Sequence, residues 1–357
     1  MKKDRLEGKK LIKGLIFSLL IGIAVFLVVF LFTIDKNTLK SFQHMDEEFL
    51  WLAGIAVFLS VIVEGLRIQV TARAIGEKIG FWQSVKVFYI SFFLGGITPY
   101  YSGTLPAQIL LYSKNGICIG KGTMIATLRP IIKTIIFMIS TPIIFLYFDD
   151  SLDKYLEDFE VLSWFVLFIA VIFSLLLIII FILIMKSPGK IKDFVQWIKK
   201  YHFFEKYLNT PKIKEKIEKL FFQVNQFHNS YNLLLSHPGE VALIFVYTAL
   251  YWLLYFSIAP LLLLAMDIQL NFLLVIIIQV IIFFLLPFLP TPGGSGAAEI
   301  GFASLFSFFV PAHLLGIYVG GWRLFTFYLN ILIGAILSLT VLKKYISWDD
   351  EIKKAEC

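Results

Sequence analysis

The stretch FLPTPGGSGAAEIG, residues 288–301, interrupts a long apolar sequence. Its prolines cannot donate a backbone hydrogen bond, and its paired glycines Gly293 and Gly294 can adopt left-handed backbone angles. The stretch therefore predicts a sharp break between two helices. Ser295 is placed to cap the second helix, and Glu299 follows in or near its first turn, where negative charge is favoured.

Apolar residues dominate the rest of the chain, which has 357 residues of which 59% are hydrophobic and 17% are aromatic. Several apolar stretches approach or exceed the length that crosses a bilayer as a helix. We therefore predict an all-α polytopic membrane protein. The stretches are Leu15–Ile34, Phe49–Val63, Ile131–Phe148, Val161–Met185, Val241–Met266, Phe272–Leu289 and Leu314–Leu342.

Other features exclude several classes of protein. The net charge of +7 comes from lysines and arginines that lie between apolar stretches, where membrane topology places them, so it does not indicate nucleic-acid binding. The sequence lacks a Walker lysine motif, a His-Glu-x-x-His motif and a nucleophile elbow. We therefore expect neither an ATP-driven pump nor a self-contained hydrolase, and we predict no cofactor, no metal site and no catalytic residue.

A second break, ITPYYSGTLPAQIL at residues 97–110, resembles the first one. Thr98, Pro99, Ser102 and Gly103 match four residues of the later stretch at an offset of 193 positions (291 − 98). The same offset superimposes neighbouring apolar segments and brings Arg129 next to Arg323 in the alignment. These coincidences indicate an internal duplication, in which Tyr100 and Tyr101 replace the two glycines. By the same comparison, we expect Ser102 or Thr104 to cap the helix that follows the first break.

Loop charges predict the orientation of each half. Acidic residues before apolar stretches 49–63 and 161–185 indicate outside loops, whereas the Lys-rich loop 186–238 indicates a cytoplasmic one. The apolar part Val85–Ile97 has 13 residues, about 20 Å of helix, which is too short to span a bilayer. We therefore predict an inverted repeat of about six spanning helices with two opposed re-entrant helical hairpins that meet near the membrane midplane.

The predicted organisation divides the chain into five parts. Residues 1–48 form an N-terminal anchor helix and an outer loop, and 49–185 form the first repeat with a re-entrant hairpin at about 85–115. A basic amphipathic linker at 186–238 and the second repeat at 239–345, with a hairpin at about 271–311, follow. Residues 346–357 are a tail. In the linker, apolar residues recur every three to four positions after Thr210. This pattern predicts a helix that either lies on the anionic cytoplasmic leaflet or packs on the bundle.

The predicted site combines helix N-termini with buried charge, and both favour an anion. Arginine binds phosphate well because its planar fork donates two hydrogen bonds. We predict that a lipid phosphate is bound by Arg129, Arg323, Ser102, Gly103, Gly293, Gly294 and Ser295. Glu299, Lys133 and Glu64 are candidates for proton exchange or for ion pairs, and Tyr100, Tyr101, Gln108 and Tyr251 for cavity lining. The alternatives are that the breaks are packing kinks and that the charges form internal ion pairs, such as Glu299 with Arg323.

With PTPGGSGAAE followed by a buried arginine, and ITPYYSGTLPAQ upstream, the sequence resembles the lysylphosphatidylglycerol synthase transmembrane family over residues 10–342. That family is the flippase half of bacterial multiple-peptide-resistance factors and their stand-alone relatives. The resemblance implies a multi-pass protein of the bacterial or archaeal cytoplasmic membrane, with a link to antibiotic resistance. It also implies an aminoacyltransferase partner, because full-length relatives carry a soluble synthase domain. This sequence ends at Cys357, soon after the last apolar stretch, so we expect a separate synthase to perform any lysyl transfer.

We therefore expect a lipid flippase for an anionic or aminoacylated phospholipid such as lysylphosphatidylglycerol, with both termini cytoplasmic. One alternative is a flippase for polyprenyl phosphate or a lipid-linked sugar. Others are a membrane subunit of a phosphatidylglycerol lysyltransferase and a small-solute transporter. The expected partners are the lipid, the membrane and a synthase, with self-association as a further option and no nucleic acid.

Overall fold

The computed structural model describes residues 45–156, 211–286, 291 and 293–344, together with six helical positions between 168 and 179. The predicted anchor helix Leu15–Ile34 and the C-terminal tail lie outside this part of the chain. The stretch Val161–Met185 also lies outside it, except for those six positions. The first half of the predicted linker, 186–210, lies outside as well.

The described residues form helices and contain no strand, which confirms the prediction of an all-helical fold. A π-helical turn, Leu324–Tyr328, joins the last two helices. The helices are α1 Glu47–Ala74, α2 Phe81–Gly96, α3 Thr104–Lys114, α4 Ile119–Leu156, α5 Pro211–Leu235, α6 Pro238–Ala265, α7 Phe272–Leu285, α8 Ala297–Phe306, α9 Ala312–Arg323 and α10 Leu329–Lys344.

Among the residues that the structure describes, four helical segments are long and apolar enough to cross a membrane. They are Glu47–Ala74, Ile119–Ser140, Pro238–Ala265 and Ala312–Thr340. This confirms a multi-pass membrane protein. The predicted number of six spans and the inverted orientation of the halves stay predictions, because two of the expected spans fall outside the described residues.

The ends of α1 show how local sequence sets a helix boundary. The carboxylate of Asp46 accepts a hydrogen bond from the Glu48 amide at 2.9 Å, which satisfies one of the unpaired amides of the first turn. At the other end the chain leaves the helix through Gly76, which has a positive φ of 75°. The helix therefore begins two residues before the apolar stretch Phe49–Val63 and extends eleven residues beyond it.

Helices α1 and α6 pack along each other more extensively than any other pair. Helix α10 packs closely on α2, where a β-carbon on Gly334 would clash with the backbone carbonyl of Tyr89. Helix α5 packs against α4 and α6, and its Gln223 side chain accepts a hydrogen bond from the Gly120 amide at 2.6 Å. The linker helix thus lies against the bundle, as one of the two predicted alternatives requires.

The predicted hairpins correspond to two helix–loop–helix units. The first unit is α2, residues 97–103 and α3; the second is α7, residues 286–296 and α8. Helices α3 and α8 begin 193 positions apart (297 − 104), and so do α4 and α9 (312 − 119). The offset found in the sequence therefore recurs in the helix boundaries, which supports a duplication. We call residues 97–103 the first loop, and we call the described residues between α7 and α8 (286, 291 and 293–296) the second loop.

Candidate functional site

The two loops are in direct contact. The phenolic hydroxyl of Tyr101, in the first loop, donates a hydrogen bond to the backbone carbonyl of Gly293, in the second loop, at 2.9 Å. A β-carbon on Gly293 would lie 2.7 Å from the carbonyl oxygen of Gly96. Two segments that are 192 residues apart in sequence thus meet inside the helical bundle.

Both loops turn through consecutive left-handed residues. Gly293 and Gly294 have φ values of 60° and 67°. Tyr100 and Tyr101, which the sequence offset aligns with those glycines, have φ values of 56° and 54°. The same backbone turn is therefore built with glycines in one loop and with tyrosines in the other.

In the first loop, a threonine and not a serine stabilises the start of the following helix. Gly103 is the N-cap residue of α3, and its amide donates to the hydroxyl of Thr98 at 2.8 Å. The expectation that Ser102 or Thr104 caps α3 is wrong, because Gly103 occupies the cap position and Ser102 is exposed. The Thr98 hydroxyl also lies 3.0 Å from the carbonyl of Leu94, to which it donates.

In the second loop, the predicted serine cap is also wrong. Gly296 is the N-cap residue of α8, with φ at 85°. Its amide donates to the carboxylate of Glu299 at 2.7 Å. Ser295 is fully buried, and its hydroxyl has no hydrogen-bond partner among the described residues. Glu299 is therefore the side chain that caps this helix start.

Glu299 and Arg323 form a buried ion pair, which we call the second ion pair. The Nε atom of Arg323 lies 2.8 Å from one carboxylate oxygen of Glu299, and its NH2 group donates to the other at 2.9 Å. The same NH2 group also lies 3.3 Å from the carbonyl oxygen of Gly294. The Arg323 side chain is only 5% exposed. The ion-pair alternative considered for these two residues is thus present in the structure.

Glu64, Arg67 and Arg129 form another charged group. We call it the first ion cluster, because Arg129 follows the first loop in sequence. Arg67 donates two hydrogen bonds to the carboxylate of Glu64, at 2.9 and 2.7 Å. The Nε atom of Arg129 lies 3.4 Å from the same carboxylate. The Arg129 guanidinium also lies over the rings of Phe88 and Tyr251, at 5.4 and 5.0 Å. Arg129 thus contacts both a shared carboxylate and two aromatic rings.

The two arginines differ in access and in charge balance. The Arg129 side chain is 19% exposed, whereas that of Arg323 is 5% exposed. Among the described residues, Glu299 pairs with Arg323 alone, whereas the carboxylate of Glu64 pairs with both Arg67 and Arg129. The first ion cluster therefore carries an excess of positive charge inside the bundle, and the second ion pair does not.

Lys133, one helical turn after Arg129 on α4, adds to this excess. Its ammonium group lies 5.3 Å from the centre of the Phe137 ring and 5.3 Å from that of Trp252. The ammonium group also donates a long hydrogen bond to the backbone carbonyl of Phe283, at 3.5 Å. Contacts with aromatic faces favour a cation but do not neutralise it. Arg129 and Lys133 therefore place two cations one helical turn apart on α4.

Tyrosines lie between the two charged groups. The ring of Tyr251, which contacts Arg129, stacks on that of Tyr255 at 5.8 Å between centroids. The Tyr255 hydroxyl lies 3.4 Å from the carbonyl of Thr326, close to Arg323 in sequence.

Gln108 is buried and donates to Ser91 at 3.3 Å, so it joins α3 to α2. Tyr100, by contrast, is 55% exposed.

Sequence reasoning missed two parts of this arrangement. It did not assign a role to Thr98, although the repeated Thr-Pro pair of the two loops was a visible signal. It also did not identify Trp252 and Phe137 around Lys133, since aromatic residues are common throughout the chain. In the described part of the chain, no group of three or more His, Cys, Asp or Glu side chains could hold a metal ion.

Comparison with known proteins places this arrangement in context. The profile of the family described as "Lysylphosphatidylglycerol synthase TM region" matches residues 16–334. A "UPF0104 membrane protein" of Archaeoglobus fulgidus is 28% identical over 327 residues, which cover 89% of this chain and 94% of that protein. No solved structure matches the chain.

Proposed function

We propose that this chain, which belongs to the lysylphosphatidylglycerol synthase transmembrane-region family, moves an anionic or aminoacylated phospholipid between membrane leaflets. The lipid phosphate would bind Arg129, with Lys133 beside it, while the acyl chains stay in the bilayer. In this proposal the protein lies in the cytoplasmic membrane with both termini on the cytoplasmic side. The two helix–loop–helix units would enter the membrane from opposite faces.

The observation that carries the proposal is the uncompensated positive charge on α4. The single carboxylate of Glu64 is the counter-charge of both Arg67 and Arg129, and Lys133 has no carboxylate partner among the described residues. Unpaired charge inside a membrane protein is costly and commonly marks a pathway for substrate. A lipid phosphate would supply the missing negative charge, and the partial exposure of Arg129 would allow it to approach.

Arg323 has a structural part in this proposal. Its guanidinium already binds Glu299 and the Gly294 carbonyl. A phosphate could reach it only by displacing a buried carboxylate, which would leave that carboxylate without its counter-charge. We therefore assign phosphate binding to Arg129 and the support of the second loop to Arg323.

The same excess of charge favours a second candidate substrate, a lipid phosphomonoester such as polyprenyl phosphate. A phosphomonoester carries up to two negative charges near neutral pH, whereas a phosphodiester lipid carries one on its phosphate. Arg129 and Lys133 provide two cations without a carboxylate of their own. The charge of the head group is therefore the property that separates the two candidates.

A leaflet-exchange assay in reconstituted vesicles tests the proposal. Purified protein is tested with fluorescent phosphatidylglycerol, lysylphosphatidylglycerol and polyprenyl phosphate. We expect Arg129→Gln to reduce the exchange rate of the preferred lipid about 10–100-fold, the loss that corresponds to one charge-assisted hydrogen bond of about 1.5–3 kcal/mol.

The matched control is Lys86→Gln, which removes an exposed cation on α2. It should leave the exchange rate unchanged. Equal rates for wild type and Arg129→Gln, at equal protein levels, would disprove the assignment of the phosphate to Arg129. Absence of exchange with all three lipids would count against the proposed function itself.

A further inference from the structure

Two adjacent tyrosines adopt a backbone conformation that L-residues seldom use. Tyr100 and Tyr101 have φ values of 56° and 54°. Bulky side chains at positive φ are outliers, because the β-carbon crowds the neighbouring carbonyl. In the second loop the aligned positions are Gly293 and Gly294, which adopt the same angles without strain. The turn itself therefore has no need of tyrosines.

The Tyr101 side chain makes a contact that glycine could not make. Its hydroxyl donates to the Gly293 carbonyl at 2.9 Å, and its ring lies against that of Phe92 at 6.5 Å between centroids. The carbonyl of the next residue, Gly294, accepts from Arg323. Side chains from α9 and from the first loop thus hold adjacent peptide groups of the second loop.

Aromatic contacts continue from Tyr101 towards the proposed anion site at Arg129. The ring of Phe92 lies 6.0 Å from that of Phe88, which in turn lies 5.4 Å from the guanidinium carbon of Arg129. Arg129, Phe88, Phe92, Tyr101 and Gly293 therefore form one continuous set of packed groups. Such a set joins the charged residue on α4 to the backbone of the second loop.

We infer that Tyr101 is a positioning residue that couples the second loop to the anion site, and that the strained backbone turn at Tyr100 and Tyr101 persists because it places the Tyr101 side chain. Strain at a functional position persists where the surrounding structure holds it in place. The inference depends on the proposed function only for its effect on lipid exchange, since the coupling itself is a property of the protein alone.

Amide hydrogen exchange in detergent-purified full-length protein tests the coupling without a transport assay. Tyr101→Phe removes only the hydroxyl group. We expect the amides of residues 293–299 to exchange about 3–10-fold faster in this variant, the range that one hydrogen bond accounts for. The matched control is Tyr318→Phe, because the buried Tyr318 hydroxyl has no hydrogen-bond partner among the described residues. Unchanged exchange in Tyr101→Phe would overturn the inference.

A second variant tests whether the tyrosines are retained despite their strain. Tyr100→Gly removes an exposed ring and restores the residue type of the second loop. We expect its Tm to rise by about 2–3 °C, because the left-handed strain is relieved. A lower Tm would show that the side chain serves stability, and the inference would then be wrong.

Lipid exchange completes the test. Tyr101→Phe should change the maximal exchange rate of the preferred lipid at least threefold and leave its half-saturating concentration unaltered. An altered half-saturating concentration with an unchanged maximal rate would make Tyr101 a binding residue and refute the positioning role. If the wild type exchanges none of the lipids, the proposed function fails, whereas the hydrogen-exchange result still decides on the coupling.

Discussion

The two loop units use one backbone turn and surround it with different side chains. In the second unit the turn is made of glycines. The arginine that follows is 5% exposed and binds the carboxylate of Glu299, six residues after Gly293. In the first unit the turn is made of tyrosines, and the following arginine is 19% exposed and shares a carboxylate that comes from α1. The carboxylate of the second unit is thus neutralised by the helix that follows this unit, whereas an excess of positive charge remains on the helix that follows the first unit.

This difference indicates a division of roles between the copies of a duplicated element. The carboxylate of the second unit caps α8 and pairs with Arg323 of α9, so this unit is suited to support the centre of the bundle. Next to the first unit, Arg129 stays partly exposed, and Tyr101 contacts the second loop. The first unit is therefore suited to bind a ligand and to pass the effect of binding on to the second loop. Changes that remove the difference therefore test both roles.

The largest effect is expected from the second ion pair. Glu299→Gln would leave Arg323 buried without a counter-charge, which we expect to lower the free energy of unfolding by about 3–5 kcal/mol. Equilibrium unfolding in mixed detergent micelles measures this loss. The double variant Glu299→Gln with Arg323→Met removes both charges and should recover part of the stability.

Glu77→Gln is the control for that measurement. Glu77 pairs with Lys121, and the two side chains are 22% and 27% exposed. Because surface ion pairs contribute little, this change should cost less than about 1 kcal/mol. Similar losses in both carboxylate variants would show that the second unit is not held together by its buried ion pair.

The next effect is expected at the glycine turn. A β-carbon on Gly293 would meet the Gly96 carbonyl oxygen and the Phe327 ring, each at 2.7 Å, in a residue with φ at 60°. We expect Gly293→Ala to cost about 2 kcal/mol in the unfolding experiment, because backbone and ring must both shift.

Gly301→Ala is the matched control, since nothing lies within 4 Å of its added β-carbon and its φ is not positive. Alanine should stabilise α8 slightly at this position. An equally small effect at Gly293 would mean that the two loops are not in the close contact described here.

The sequence alone predicted the parts of this comparison that depend on local pattern. Proline and glycine at matched positions indicated both helix breaks, and apolar length indicated the helices that the structure contains. A few neighbouring residues decide these features. The pairing of Glu299 with Arg323, 24 positions apart, was considered only as an alternative, because buried charges in membrane proteins commonly pair with one another.

Long-range partners could not be predicted in the same way. Glu64 lies 65 positions before Arg129 in sequence, and only the packing of α1, α4 and α6 brings these side chains together. The contact of Tyr101 with Gly293 depends on the docking of one loop on the other. The helix caps were predicted incorrectly because glycine occupies both cap positions, and the amides bind Thr98 and Glu299 instead of the nearby serines.

The smallest effect concerns the two threonines that precede the matched prolines. The hydroxyl of Thr98 accepts from the Gly103 amide at 2.8 Å, whereas that of Thr291 has no hydrogen-bond partner among the described residues. We expect Thr98→Val to cost about 1 kcal/mol in the same unfolding experiment, because the amide at the start of α3 loses its acceptor. Thr291→Val should be close to neutral, since valine keeps the shape and removes an unpaired group. Equal losses at the two positions would contradict the claim that each loop closes its helix start with a different side chain, and a greater loss at Thr291 would assign the hydroxyl cap to the second loop.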